Sequence, residues 1–170
     1  MKRINGPSHP MTTVRMKGLL PLSLARTWHL LWLHYDERSI TAIHPWIIAG
    51  RTVRDEGETS YRDLRFPRIR AIDRELRLRG RSVPVTWTGR VDPPDWFEYR
   101  FQSGDGTTTG IFRNTYRESG DGTAVSTKAD VSVHGTPAFI VRWFVRKLLA
   151  RADREDLAYL TRIDARPKGT

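Results

Sequence analysis

The sequence has no cysteine among its 170 residues. That absence excludes disulfide bonds, thiol nucleophiles and thiolate metal ligands. The sequence also lacks any apolar run close to the roughly 20 residues that cross a bilayer. Residues 1–10 lack the apolar stretch of a secretory signal. We therefore expect a cytoplasmic protein without a transmembrane segment.

Lysine is scarce, since five of the 29 basic residues are Lys and the other 24 are Arg. The formal net charge is +10, which makes nucleic acid or an anionic membrane a candidate partner. The densest basic segment, Arg51 to Arg81, has ten Arg but also six acidic residues, a mixture typical of a solvent-exposed sheet face. The charge therefore leaves nucleic acid unfavoured and weak association with an anionic surface open.

The remaining composition is that of a folded domain. Hydrophobic residues make up 38% and aromatic residues 10% of the chain, and its length is the usual size of one domain. We expect a flexible lead-in over residues 1–10, a single domain over residues 11–164 and a tail over residues 165–170.

The first third of the chain predicts a strand followed by two helices. Residues 12–19 are β-rich, and from Pro21 to Leu33 apolar residues recur every three or four positions, which is the period of one helix face. A short second helix is predicted over residues 40–44, with Ser39 as its N-cap.

After Pro45 the pattern changes to strands separated by turn residues. Residues 47–54 predict a strand followed by a hairpin turn at residues 55–57, and residues 60–78 predict a strand that Pro67 interrupts at an edge, a bulge or a break. Apolar and polar residues then alternate in four more strands, over residues 83–91, 97–101, 110–116 and 125–133. Such alternation is typical of an antiparallel meander with one covered face.

The last segment predicts one long helix. Pro137 opens it, and no Gly or Pro follows until after Ile163, which allows about 27 residues or ~40 Å at 1.5 Å per residue. Residues 139–145 are apolar almost all round and must be covered on most sides. The meander is the only partner large enough, so we expect an α+β fold in which a curved antiparallel sheet wraps around this helix.

Five short motifs occur in a distinctive order: Pro21 with Trp28, His44-Pro45-Trp46-Ile47, Pro93-Pro94, Gly120-Asp121-Gly122-Thr123, and Arg151-Ala152-Asp153-Arg154-Glu155-Asp156-Leu157. With them, residues 12–163 resemble the START-like or SRPBCC superfamily, the helix-grip fold of polyketide cyclases, coenzyme Q-binding proteins, birch-pollen-type allergens and lipid-transfer START domains. The resemblance implies six to seven strands around the C-terminal helix, two short helices after the first strand, and an apolar cavity for a hydrophobic small molecule or lipid. It transfers no catalytic residue.

The alternation within the strands selects candidate cavity-lining residues. Aromatic side chains fall on the covered parity, two aromatic residues of the last helix face them, and Asn114 supplies a polar anchor. The candidates are Trp87, Tyr99, Phe101, Phe112, Asn114, Tyr116, Trp143 and Phe144. Small neighbours such as Gly89 and Gly110 would leave space. The residues alone favour a packed core, whereas the resemblance favours a cavity.

Ionisable residues give little indication of catalysis. His44 could carry a proton near neutral pH, but a histidine that ends a helix usually bonds locally. His34, Asp36 and Glu37 match no recurrent metal-ligand spacing. The acidic residues of the last helix are expected to form an exposed salt-bridged face; they are Asp153, Glu155 and Asp156, with Arg151 and Arg154. We therefore predict no catalytic residue, no metal site and no cofactor.

Three functions remain in competition, and the oligomeric state is open. The favoured one is a carrier or sensor that binds a hydrophobic small molecule or lipid between the sheet and the last helix. The alternative is a cyclase- or aromatase-type enzyme, which needs an interior acid or base. Strand alternation places Glu98, Arg113, Lys128 and Asp130 outside, while Arg62, Asp63 or Arg65 could face inward. The third is an Arg-rich surface that binds nucleic acid or an anionic membrane.

Overall fold

The computed structural model describes residues 10–165. The strands are β1 (Thr12–Leu20), β2 (Ile47–Tyr61), β3 (Leu64–Leu78), β4 (Arg81–Asp92), β5 (Trp96–Ser103), β6 (Thr108–Ser119) and β7 (Gly122–Val133). The helices are α1 (Leu24–Leu33), α2 (Glu37–Ile43) and α3 (Ala138–Asp164). Nearly all of the predicted lead-in and tail lie outside the described residues, so the domain boundaries stay predictions.

The seven strands form one antiparallel sheet in the order β1-β7-β6-β5-β4-β3-β2. Successive strands from β2 to β7 pair with each other, and β1 closes the sheet beside β7. Helix α3 packs against β1, β7 and α2. The predicted architecture, with a sheet of up to seven strands, two short helices after the first strand and a long C-terminal helix, is confirmed.

The start of α2 differs from the prediction. Asp36, not Ser39, is the N-cap, because its carboxylate accepts the backbone N–H of Ser39 at 2.8 Å and the Ser39 hydroxyl at 2.7 Å. A carboxylate caps a helix at least as well as a hydroxyl. Glu37 then adds a negative charge to the first turn, where the helix dipole favours it. The helix therefore begins three residues earlier than predicted.

The predicted hairpin at residues 55–57 is wrong. Strand β2 continues to Tyr61, and the turn lies at residues 62–63, where Arg62 has φ 54°. Pairing with β3 continues through Glu58 and Pro67 to Tyr61 and Leu64. Pro67 lies two residues before Ile69, which is the first residue of β3 that pairs with β4. Its missing N–H therefore costs no bond on that side, as at the edge of a sheet.

Trp28 fixes α1 to the concave face of the sheet. Its side chain is fully buried, and its ring centroid lies 5.7 Å from that of Phe66 and 5.5 Å from that of Tyr116. The indole N–H donates to the carbonyl of Pro94 at 3.0 Å. A buried Trp removes ~200 Å² from water, which at ~25 cal/mol per Å² stabilises the docked helix by about 5 kcal/mol before ordering costs.

The first half of α3 contacts the sheet through valines. Val141 and Val145 are 3% and 2% exposed and pack with residues of β1, β6 and β7. Trp143 is 57% exposed and lies roughly opposite these two valines at 100° per residue. Lys147 lies over its ring at 4.3 Å. The prediction that Trp143 faces the sheet is therefore wrong. Phe144 lies on the flank of the helix and is 48% exposed.

Candidate functional site

A continuous aromatic stack crosses the concave face of the sheet on three adjacent strands. The rings of Tyr99 and Phe112 are parallel within 3° with centroids 4.8 Å apart, and Trp87 stacks on Tyr99 at 6.1 Å. Phe101 packs beside Phe112 at 5.9 Å. Burial raises the pKa of Tyr99, and the carboxylates of α3 add to that effect. The strand residues predicted from alternation therefore share one face; their role as ligand contacts stays a prediction.

Two glycines of this face do not leave the space that the sequence suggested. A Cβ added to Gly89 would overlap the ring of Trp87, and one added to Gly110 would overlap the ring of Phe101. An aromatic ring therefore lies directly over the backbone of each glycine. Trp87 of the same strand covers Gly89, and Phe101 of the neighbouring strand covers Gly110. These positions tolerate no larger residue without moving the ring.

The interior is divided into two hydrophobic clusters with a partly exposed region between them. One cluster gathers around Trp28 of α1, and the other around Val141 and Val145 of α3. Between them, inner-face residues keep an intermediate exposure although α3 covers that face; they are Met16, Tyr99, Asn114, Val125 and Thr127. We call this region the inner cleft. It lies on the strands on which the sequence placed a cavity.

Asn114 is the polar group of the inner cleft. Its side-chain oxygen accepts the hydroxyl of Thr127 on β7 at 2.8 Å. Burial raises the pKa of Tyr116 on the same strand, and a hydrogen bond with Asn114 opposes that rise. Asn114 therefore connects Tyr116 to Thr127 of β7, and its role as a ligand anchor stays a prediction.

Two open pockets lie on the sheet, with volumes of about 330 and 260 Å³, and the first includes Met16 and Thr127 of the inner cleft. The first is lined by residues 15–17 and 126–128, and the second by residues of β4, β5 and β6 with Met11. Neither is lined by Trp87, Tyr99, Phe112 or α3. A spacious apolar cavity under α3 therefore stays a prediction.

A buried cation lies next to the aromatic stack. Arg74 of β3 is 7% exposed, and its guanidinium lies 4.4 Å from the ring centroid of Trp87. One of its nitrogens donates to the carbonyl of His34 at 3.0 Å, while its Nε has no partner among the described residues. Burial lowers the pKa of Arg74 to about 10, and Glu37 opposes that shift. The interior is therefore more polar than the alternation predicted.

Two further polar groups lie near this cation. The hydroxyl of Tyr35 is buried without a partner among residues 10–165. Burial raises its pKa, against the opposing effect of Arg70 and Arg74. The carboxylate of Glu37 lies where a Cβ on Gly50 would be, and burial raises its pKa. Unpaired buried polar atoms cost free energy, so their presence marks a place where a ligand or water could supply the missing bonds.

The register of residues 54–73 is now settled. Arg62, Asp63 and Arg65, which could have faced inward, are exposed. The inward cations are Arg74 and Arg70, and the guanidinium of Arg70 bonds the carbonyl of Tyr35 at 2.7 Å. Arg70 and Arg74 have the parity of Ile72 in β3 and pair with Gly89 and Val85 of β4, so they lie on the face of Trp87.

Glu98 lies on the outer face as predicted, yet it is only 6% exposed. The guanidinium groups of Arg100 and Arg113 cover it, with N–O distances of 3.2 and 3.3 Å. Arg113 also lies over the ring of Trp96 at 5.0 Å. This part of the Arg excess is therefore engaged in a charge network of the sheet surface.

A second polar cluster joins the ends of α1 and α2 to α3. His34 Nε2 and His44 Nε2 lie 2.9 and 3.3 Å from Asp156 Oδ1. His44 Nδ1 lies 2.7 Å from Glu155 Oε2. Burial alone would raise the pKa of Asp156, but the imidazoles lower it to about 2. Burial alone would lower the pKa of His44, but its two carboxylate partners raise it.

This cluster corrects two expectations about ionisable residues. His44 does end α2, but its side chain bonds across the fold rather than locally. Asp156 was expected on an exposed charged face and is 9% exposed, whereas Glu155 does pair with Arg151, at 2.6 Å. One signal in the sequence pointed to the difference, because Asp156 interrupts an apolar stripe at the four-residue spacing of Ala152 and Leu160.

The exposed side of α3 is apolar and cationic. Phe139, Ile140, Trp143 and Phe144 are 70%, 41%, 57% and 48% exposed. No acidic residue lies between positions 131 and 152, while that stretch carries three Arg and one Lys. Among the described residues no helix is long and apolar enough to cross a membrane. Contact of this surface with an anionic membrane stays a prediction.

No family model and no curated protein matches the chain. Solved structures do match. The crystal structure of Ara h 8.0201 has a TM-score of 0.68 at 11% identity, over 89% of this chain and 99% of that one. A START superfamily protein from Mycobacterium smegmatis has 0.62 at 18%, over 85% and 93%. The ZhuI aromatase/cyclase from Streptomyces sp. R1128 has 0.61 at 13%, over 88% and 90%. Identities this low show the fold alone, and that fold is the START-like helix-grip fold.

Proposed function

We propose that the protein is a carrier or sensor that binds a hydrophobic small molecule or lipid in the inner cleft. The observation that carries the proposal is the partial exposure of Met16, Asn114, Val125 and Thr127 on a face that α3 and α1 cover. A concave, mostly apolar region with a few polar groups is the usual form of a small-molecule site. A location in the cytoplasm stays a prediction.

The chemistry of the cleft favours a ligand that is flat or elongated and carries at least one oxygen. Tyr99 is partly exposed in the cleft and stacks on the buried ring of Phe112, so it offers aromatic contact area. Asn114 offers an amide in the cleft, and Arg74, beside Trp87 on β3, has an N–H without a partner among residues 10–165. Apolar contact contributes ~25 cal/mol per Å² buried before association costs. A carbonyl or carboxylate on the ligand would supply the bonds that the buried donors lack.

Native mass spectrometry of the purified protein and thermal shift with fatty acids, quinones and aromatic polyketides test the proposal. The variant Thr127→Phe fills the cleft from β7, while Ser126→Phe adds the same ring to the outer face of the same strand. We expect Thr127→Phe to abolish the thermal shift and Ser126→Phe to keep it. Absence of any shift in the native protein, or equal loss in both variants, would overturn the proposal.

A cyclase- or aromatase-type enzyme is the second candidate, because the interior does contain acids and bases. Asp156 of α3 is 9% exposed and contributes to the electrostatic environment of Tyr99, and burial raises the pKa of Glu37. An interior group with a displaced pKa is what such an enzyme needs. Incubation with linear poly-β-ketone thioesters, followed by product analysis, tests it. A product distribution equal to that without protein would remove this candidate.

A further inference from the structure

Three side chains from separate parts of the chain converge at the junction of the helices. His34 follows the last residue of α1, His44 follows the last residue of α2, and Asp156 lies in the second half of α3. One ligand atom from each lies within 4.8 Å of the others. The side chains are 16%, 5% and 13% exposed. The three side chains are therefore mostly buried, but solvent still reaches them.

We propose that His34, His44 and Asp156 bind a divalent transition-metal ion, with Zn²⁺ as the ion that the donors fit best. Two imidazole nitrogens and one carboxylate oxygen are a common set of three protein ligands to zinc, which leaves further positions for water or another ligand. Imidazole together with carboxylate disfavours Ca²⁺ and Mg²⁺, which prefer oxygen alone. From the sequence we expected no metal site, because the spacing of His34, Asp36 and Glu37 matches no recurrent set of metal ligands.

The distances fit such an ion. Bonds of about 2.0–2.2 Å at tetrahedral angles place neighbouring donor atoms roughly 3.3–3.6 Å apart. The two imidazole-to-carboxylate distances, 2.9 and 3.3 Å, fall at or slightly below that range. The rings of His34 and His44 have centroids 5.4 Å apart at 58°, so neither ring blocks the other. The three donor atoms lie within 4.8 Å of one another, so the most distant pair would move closer together when an ion binds.

A set of outer hydrogen bonds orients His44 as metal-binding histidines are usually oriented. Its Nδ1 lies 2.7 Å from Glu155 Oε2, which also accepts the indole N–H of Trp46 at 2.8 Å. Arg151 holds the other oxygen of Glu155 at 2.6 Å. A carboxylate on Nδ1 places the proton there and leaves the Nε2 lone pair for the metal. The imidazole is therefore preorganised for a ligand on its Nε2 side.

The competing explanation is a hydrogen-bonded clasp, in which the three side chains bind one another and no metal ion. In that case Asp156 accepts from both imidazoles, and the three residues join α3 to α1 and α2 without an ion. The two explanations differ in saturable metal binding, which a clasp does not show. The proposal does not depend on the cleft or its ligand.

The test uses the full chain without a polyhistidine tag, freed of metal by a chelator. Cobalt(II) serves as a spectroscopic probe and Zn²⁺ is titrated by calorimetry. We expect visible cobalt bands of one-to-one stoichiometry that Zn²⁺ displaces. His34→Gln should weaken binding by at least tenfold, and Glu155→Gln, which alters an outer carboxylate, by about 10–100-fold. His29→Gln, which lies within α1 and outside the cluster, should leave both titrations unchanged.

Circular dichroism confirms that each variant is folded, and Glu155→Gln keeps the test informative if a ligand variant unfolds. No saturable cobalt or zinc binding in the native chain would overturn the proposal. Binding that is equal in the native chain, His34→Gln and Glu155→Gln would overturn it as well, because the ion would then lie elsewhere.

Discussion

The rotation of α3 about its axis can be tested by one polar substitution made at two positions. Val145 is 2% exposed against the sheet, whereas Trp143, two residues earlier, is 57% exposed. Glutamine is a good helix former. The two variants Val145→Gln and Trp143→Gln therefore differ in what the side chain contacts and not in helix propensity.

The expected costs differ by a factor of about three. Val145→Gln loses ~1.5–2 kcal/mol of buried apolar contact and buries an amide without a partner, at ~1–3 kcal/mol, for a total of roughly 3–5 kcal/mol. In Trp143→Gln less than half of the ring leaves a shielded environment, and the methylenes of Gln replace part of it. At ~25 cal/mol per Å² that loss is about 1 kcal/mol.

Urea denaturation followed by circular dichroism at 222 nm measures both costs, with equal m-values as the sign that the unfolding reaction is unchanged. For a domain of this size, ~2–4 °C per kcal/mol gives a fall in Tm of roughly 6–20 °C for Val145→Gln and a few degrees for Trp143→Gln. An equal or larger loss for Trp143→Gln would refute the reasoning, because α3 would then present Trp143 to the sheet.

Three further outcomes are expected. Arg74→Met should lower the free energy of unfolding by about 1–3 kcal/mol, because the carbonyl of His34 loses its donor and the carboxylate of Glu37 loses its neighbouring cation; an unchanged urea midpoint would contradict this. Burial raises the pKa of Glu37 above 4.5, so the folded chain holds this proton more tightly than the unfolded chain. The stability of the native chain relative to Glu37→Gln should therefore fall as pH rises from 4 to 7, and a constant difference between urea midpoints would refute it. The native chain should sediment with phosphatidylserine vesicles more than with phosphatidylcholine vesicles, and Phe139→Ser with Trp143→Ser should reduce that difference; no binding to the anionic vesicles at 0.15 M salt would remove the membrane alternative.

The sheet was predictable because its signals are local. Alternation identified β4 to β7, and the absence of Gly and Pro identified α3 to within one or two residues. The hairpin predicted at residues 55–57 is wrong because it depends on pairing between strands, which the local sequence does not show. The turn residues Asp55, Glu56 and Gly57 are overridden by pairing of β2 with β3, which continues to Tyr61 and Leu64.

The candidate site was predictable only in part. Alternation along a strand shows which residues share a face of the sheet, so it placed Tyr99, Phe112 and Asn114 on the inner face. Residues 139–145 of α3 are apolar on nearly every side, so their pattern gives no direction, and the larger Trp143 was chosen where Val145 contacts the sheet. The His34 and Asp156 pair lies 122 positions apart, and no local spacing can indicate a contact that only the topology creates.

The two proposed sites can be separated, because different strands and helices build them. The inner cleft depends on β1, β5, β6 and β7, whereas the His–Asp cluster depends on the ends of α1 and α2 and on the second half of α3. Thr127→Phe should therefore remove the response to hydrophobic ligands and keep the cobalt spectrum, while His34→Gln should do the reverse. If each variant instead removed both responses after folding was verified, the cluster and the cleft would act as one site. The metal ion would then take part in binding the hydrophobic ligand, through a coordination position that the three protein ligands leave free.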